Sequence, residues 1–227
     1  MTQQSATRWH SFNSQDEINQ AAIANTLQAA DEAIKKYGSF LIVLAGGSTP
    51  KAVYKLLSEQ DADWENWHVY HNDDRCFPVD HAERNSKMAR DVWLSHVAIP
   101  EGQIHDIPAE LGNVEGAKAY TEILKGVRPF DLVILGLGED GHTASLFPNQ
   151  AVDNSADAVP VFDAPKPPTD RITISQNRLN HTNAVMFLVT GAGKQDAVNK
   201  WRQGEAIPAM LVTGKNGADV YCFGVDI

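Results

Sequence analysis

The stretch "FLIVLAGGSTPKAVYKLL", residues 40 to 57, passes from a six-residue apolar run through two glycines into a helix-forming segment. An apolar run this short, with no polar alternation, reads as a strand buried on both faces, and such strands belong to parallel sheets covered by helices. Gly46 and Gly47 permit close backbone approach, Thr49 suits the N-cap position, and Pro50 suits the first helical turn. Strand, turn and helix are therefore expected in that order. The N–H groups and hydroxyls of Gly46, Gly47, Ser48 and Thr49 then offer a site for an anion, phosphate above all, the alternative being a well-capped turn with no ligand. Ser48 is not read as a hydrolase nucleophile, because Pro50 stands where a G-x-S-x-G turn needs its last glycine.

Working outward, the same alternation recurs. Ser14 to Glu17 reads as a capping box opening a helix that carries Ile18, Ala22, Ile23, Leu27, Ala30 and Ile34 on one face and ends near Gly38. Strands are expected at "WHVYH" (67 to 71), "DLVIL" (131 to 135), "RITIS" (171 to 175), "AVMFLVT" (184 to 190), "AMLVT" (209 to 213) and "DVYCFGV" (219 to 225). Helices are expected over 86 to 97, from Asn113 through "VEGAKAYTEIL", and from Lys194. The fold class is therefore α/β, a mostly parallel sheet with helices on both faces, and ligands should sit beyond the carboxyl ends of its strands. Residues 149 to 170, with four of the eleven prolines, read as a surface loop or lid over the site. The whole of 1 to 227 is read as one domain.

The formal net charge of −10 disfavours nucleic acid and anionic membrane as partners. The first residues lack a signal peptide's basic and apolar regions, and nowhere do eighteen apolar residues run together, so a cytoplasmic protein is expected. Cys76 and Cys222 lack the spacing of a zinc site or a disulfide framework. No cofactor is implied, and a monomer is the expectation.

Four loops after strands carry chemistry. In "NDDRCFP", Arg75 suits bidentate phosphate recognition, and Asp73 can orient it or bind sugar hydroxyls. In "TGAGK" (190 to 194), the glycine spacing is too short for a Walker A loop, but Lys194 can still hold a phosphate. Arg171 is a further basic candidate. The fourth loop, "GLGEDGHTASLFP" (136 to 148), matches G-x-G-x-x-G, but Pro148 interrupts the helix a dinucleotide needs, and Glu139 and Asp140 would repel a pyrophosphate. The better reading makes Asp140 and His142 the reactive pair, a histidine taking a proton and a carboxylate able to fix its tautomer. Ser145 is read as structural. A metal site from His71, Asp73, Asp140 and His142 is an alternative without helical ligand spacing, and no metal is expected.

Taken in order, "LAGGSTP", "NDDRCFP" followed by "ERNS", "GLGEDGHTASLFP" and "TGAGK" resemble the 6-phosphogluconolactonases, over nearly the whole chain. Glucosamine-6-phosphate deaminases share a D-G-H loop but typically continue "IAFNEPG", where this chain has "TASLFPN". The family's D-E-R triplet reads Asp73-Asp74-Arg75 here, which shortens one side chain. The resemblance implies a Rossmann-like fold of the sugar-phosphate isomerase type. It also implies metal-independent hydrolysis of 6-phospho-D-glucono-1,5-lactone in the oxidative pentose phosphate pathway. By the same resemblance His142 is the general base, Arg75 and Lys194 hold the phosphate, and the Gly46 to Thr49 loop lines the sugar-phosphate pocket. The alternatives are a deaminase or isomerase on the same fold, and a non-catalytic sugar-phosphate sensor.

Overall fold

The computed structural model describes residues 7 to 151 and 153 to 227. The strand of the opening stretch, β2 (Phe40–Leu44), is buried at all five positions. It lies inside a seven-stranded sheet with β1 (Thr7–Ser11), β3 (Trp67–His71), β5 (Ile104–His105), β6 (Phe130–Gly136), β9 (Thr182–Thr190) and β10 (Ala218–Phe223). The order is β1-β10-β9-β6-β2-β3-β5, and every neighbouring pair is parallel. Because successive side chains alternate, Phe40, Ile42 and Leu44 enter one core while Leu41 and Val43 enter the other. Each fully buried side chain of this size contributes roughly 1.5–3 kcal/mol, so both faces need a cover.

Helices α1 (Gln15–Tyr37), α2 (Ser48–Leu57) and α3 (Asn85–Val92) contribute to the first core, and α4 (Asn113–Leu124) and α6 (Gln195–Arg202) to the second. At the start of α1, the Ser14 hydroxyl accepts from the Glu17 amide at 3.1 Å, while the Glu17 carboxylate reaches back to the Asn13 amide at 2.8 Å. Gly38 closes this helix in the left-handed region with φ 75°. Of the expected apolar face, Ile18, Ala22, Ile23 and Ala30 are buried, and Leu27 and Ile34 are partly covered.

A second sheet was not expected. It consists of β4 (Asp73–Arg75), β8 (Arg171–Ile174) and β7 (Ala158–Val161), all antiparallel, with α5 (Gln176–Asn180) following β8. The residues read as a loop after β3 are thus a short strand, "RITIS" belongs to the small sheet, and the Pro-rich segment 149 to 170 contains a strand. β1 was also unforeseen, none of its residues being buried: Thr7, Arg8 and Ser11 are exposed and only Trp9 and His10 are partly covered. "AMLVT" is not a strand: Pro208–Leu211 form a 3₁₀ turn, consistent with Pro208 lacking a donor for a ladder. The helix expected over 86 to 97 ends as α3 at Val92 and resumes as a 3₁₀ turn, Leu94–His96, and Lys194 ends another 3₁₀ turn before α6 begins.

From β2 the chain moves to β3 and β5 on one side, then returns to β6, β9 and β10 on the other. The strand order therefore reverses between β2 and β6, where diverging connections leave a crevice at the carboxyl ends.

Candidate active site

A cavity of about 380 Å³ occupies that crevice, and loops after β2, β3, β6 and β9 all line it. The β2 loop turns through Gly47 at φ 105°, a conformation that favours glycine. A side chain at Gly46 would collide with Asn85, which packs directly against it. Gly47, not Thr49, is the N-cap of α2; no side chain caps the first turn, whose residues Ser48, Thr49 and Pro50 line the cavity. Thr49 lies in the first turn, and its hydroxyl meets that of Thr190, at the end of β9, at 2.6 Å.

Beyond β3 the backbone changes sheets: the Asn72 amide donates to Leu44 of β2 at 2.9 Å, and its carbonyl accepts from Ile174 of β8 at 2.7 Å. Asp73 is buried. Its carboxylate accepts from Asn85 Nδ2 at 2.9 Å and from Ser145 Oγ at 2.5 Å, which gives Ser145 a structural role. Asp74, wholly buried, accepts from Arg84 Nε at 3.0 Å, from Ser86 Oγ at 2.7 Å and from the amides of Arg75, Asn85 and Ser86. It therefore supplies the anion at the N-terminus of α3 that no side chain of the helix provides. The shortened residue of the triplet is an anchor for the "ERNS" segment. Arg75 lines the cavity, donating Nη1 to the Glu83 carbonyl at 2.6 Å, while its buried Nε has no partner.

The β6 loop closes tightly: the Gly138 amide donates to the His142 carbonyl at 2.8 Å and the Gly141 amide to Gly138 at 3.0 Å, with Gly141 at φ 91°. A side chain on Gly138 would overlap the His142 ring and the Asp140 carboxylate. In this turn His142 Nδ1 lies 2.5 Å from Asp140 Oδ1, which also accepts from the His142 amide at 3.1 Å. Burial pushes the Asp140 carboxyl upward, but the hydrogen bonds from His142 outweigh it and hold the pKa below the ordinary value. A carboxylate at Nδ1 favours the tautomer with the proton there, in which Nε2 carries the lone pair. The ring packs against Phe147, centroids 4.8 Å apart.

Lys194 lines the cavity from the β9 loop. Arg171 also lines it, but two of its nitrogens are committed to backbone: Nε donates to the Pro168 carbonyl at 3.0 Å and Nη2 to that of Lys166 at 2.8 Å. The structure thus brings Gly46 through Thr49, Asp73, Arg75, His142, Arg171 and Lys194 around one cavity, with Asp140 behind His142. It does not assemble the metal alternative. His71 is turned away onto Asp106 at 2.9 Å, and among the described residues no three His, Cys, Asp or Glu side chains come together to hold an ion. Asn72, Asn85, Lys166 and Thr190 also line the cavity and lay outside the sequence-derived set. For Asn85 the signal was present in "ERNS"; for Lys166 nothing in the Pro-rich segment indicated its direction.

At the switch point of a parallel α/β sheet, one cavity is thus lined by Arg75, Arg171 and Lys194, by the glycine-turned start of a helix and by a histidine paired with a carboxylate. The profile of the family described as glucosamine-6-phosphate isomerases/6-phosphogluconolactonase matches residues 13 to 221, and the chain belongs to that family. A relative from Synechocystis, named 6-phosphogluconolactonase, is 38% identical over 206 residues, covering 87% of this chain and 85% of its own. A relative from Mycobacterium leprae of the same name is 34% identical, covering 90% and 88%. A rice relative named probable 6-phosphogluconolactonase 3, chloroplastic, is 34% identical, covering 91% and 70%. Among solved structures, the 6-phosphogluconolactonase of Thermotoga maritima superposes with a TM-score of 0.89 at 27% identity, covering 96% of this chain and all of its own.

Proposed function

We propose that the chain hydrolyses 6-phospho-D-glucono-1,5-lactone to 6-phosphogluconate, the lactone-opening step of the oxidative pentose phosphate pathway, with His142 as general base. The observation that carries this reading is the 2.5 Å pairing of His142 Nδ1 with Asp140 on the wall of a cavity that also holds Arg75 and Lys194. Ligand binding alone does not require such a base, which favours an enzyme over a sugar-phosphate sensor.

In the proposed reaction His142 Nε2 takes a proton from water as the water oxygen bonds to C1 of the lactone. Asp140 stabilises the imidazolium that forms. The tetrahedral centre collapses by breaking the bond between C1 and the ring oxygen. That oxygen takes the proton from Nε2, leaving a free acid that ionises. Arg75, Lys194 and the uncapped start of α2 hold the phosphate, which positions the lactone for attack. No covalent enzyme intermediate and no cofactor is needed.

The test is acid release from freshly prepared 6-phosphogluconolactone, with the spontaneous rate subtracted. Catalysed release supports the reading. Absence of catalysis, with ammonia released instead from glucosamine 6-phosphate, would assign the deaminase alternative.

A further inference from the structure

We infer that Lys166 is a substrate-contacting, specificity-determining residue, its ammonium meeting the dianionic phosphate of the ligand from a Pro-rich strap that Arg171 holds against the cavity. The inference rests on the sugar-phosphate reading above. Lys166 and Pro167 line the cavity, and the Lys166 side chain makes no hydrogen bond or ion pair among the described residues. An exposed lysine with no partner is ordinarily a solvated surface residue. Two features separate this one from that case.

The first is that its backbone is built in place. Arg171, itself buried, spends two nitrogens on the carbonyls of Lys166 and Pro168. The strap is closed by the Ala164 amide on the Thr169 carbonyl at 3.0 Å and tied down by the Cys76 amide on Asp170 at 3.2 Å and by Gln150 on Asp163 at 3.2 Å. Pro165, Pro167 and Pro168 remove three φ freedoms from the same segment. A cation on such a strap can engage a ligand with little backbone ordering still to be done.

The second is the charge of the wall it joins. Arg75 and Arg171 face each other across the β4–β8 pair, an unfavourable juxtaposition of like charges. The hydrogen bonds of both guanidiniums go to backbone carbonyls, and the Arg75 Nε is buried without a partner. Asp73, which draws Arg171 electrostatically, is already engaged by Asn85 and Ser145. Lys194 lines the same cavity, so Lys166 is its fourth cation, and the one carboxylate charge of Asp73 leaves the wall strongly positive unless an anion of more than one charge occupies the space between. The phosphate meets that requirement; the lactone end of the molecule is neutral before hydrolysis.

Full-length wild type, Lys166→Ala and Lys166→Arg are to be compared on fresh 6-phosphogluconolactone and on unphosphorylated glucono-1,5-lactone. Calorimetric titration with 6-phosphogluconate provides a readout independent of turnover. Removing a charge-assisted contact should raise KM for the phosphorylated lactone about tenfold or more, with a much smaller change in kcat. KM for glucono-1,5-lactone should rise by a clearly smaller factor, and Lys166→Arg should restore most of the loss. Equal shifts on both lactones, or none on either, would overturn the assignment. Wild type that hydrolyses neither lactone would overturn the lactonase reading instead. Lys166 is then judged on 6-phosphogluconate affinity alone: weakening by Lys166→Ala supports the contact, and identical affinities refute it.

Discussion

Asp140→Asn isolates the part of the site that distinguishes a catalytic histidine from a polar wall residue. The substitution keeps size and polarity but removes the charge facing the imidazolium in the transition state. Opposite charges about 4 Å apart attract by about 1 kcal/mol in water and about 4 kcal/mol at the effective dielectric near a protein surface. The Asp140 side chain is 41% exposed and that of His142 21%, so solvent screening places the pair in the lower part of that range, about 1–3 kcal/mol. At 1.36 kcal/mol per tenfold this is a loss of about 5-fold to 10²-fold in kcat. KM should move less, because neutral His142 in the ground state gains little from the charge. Because Asp140 Oδ1 also accepts from the His142 amide, thermal melting must accompany the kinetics to separate a displaced loop from a lost charge. A folded Asp140→Asn protein with kcat within about twofold of wild type would refute the pairing as a catalytic device.

His142→Asn, which cannot take up the proton, should lower kcat by about 10²-fold or more while leaving calorimetric binding of 6-phosphogluconate near the wild-type value; near-normal turnover would move the base elsewhere. Arg75→Ala and Lys194→Ala should each weaken the phosphorylated lactone by about 1.5–3 kcal/mol more than glucono-1,5-lactone, as read from kcat/KM on the two substrates. Gly138→Ala puts a methyl where the His142 ring lies, so the ring must move off Asp140 and kcat should fall, as read on fresh 6-phosphogluconolactone. Asp106 provides a stability test away from the site. Burial raises its pKa, but the hydrogen bond from His71 and the charge of Arg90 outweigh this and bring it down to about 2 from the ordinary 3.8. A depressed folded-state pKa contributes stability above the unfolded-state value and loses it as pH falls from about 4 to about 2. Denaturant titrations should therefore find Asp106→Asn less stable by about 2 kcal/mol at pH 7, with the gap closing across that acidic window. A gap that is constant with pH would show that the carboxylate's charge is not what holds His71 and Arg90.

What the residues determined by themselves was the order of buried strand, glycine turn and helix, as in Phe40 through Leu57, and with it the parallel sheet and the ends of the strands where loops converge. That information is local: an unbroken apolar run, a glycine pair and a helical period each lie within a few residues. The position of Gly46 to Thr49, Arg75, His142 and Lys194 on loops at that end of the sheet was legible this way, since each follows a strand that could be recognised alone. Tertiary structure decided the rest. Asp73 to Arg75 form a strand only because β8, about a hundred residues later, offers a partner, and three polar residues carry no periodicity that would announce it. Whether Asp140 met His142 depended on the backbone path through Gly138 and Gly141, and two-residue spacing in a turn leaves that path open. Asp74 became an anchor because Arg84, Asn85 and Ser86 fold back over it, and Arg171 became a clasp because the strap passes its guanidinium. Such roles belong to contacts between distant segments, and the chain's local pattern specifies which residues are available for them but not which partners they meet.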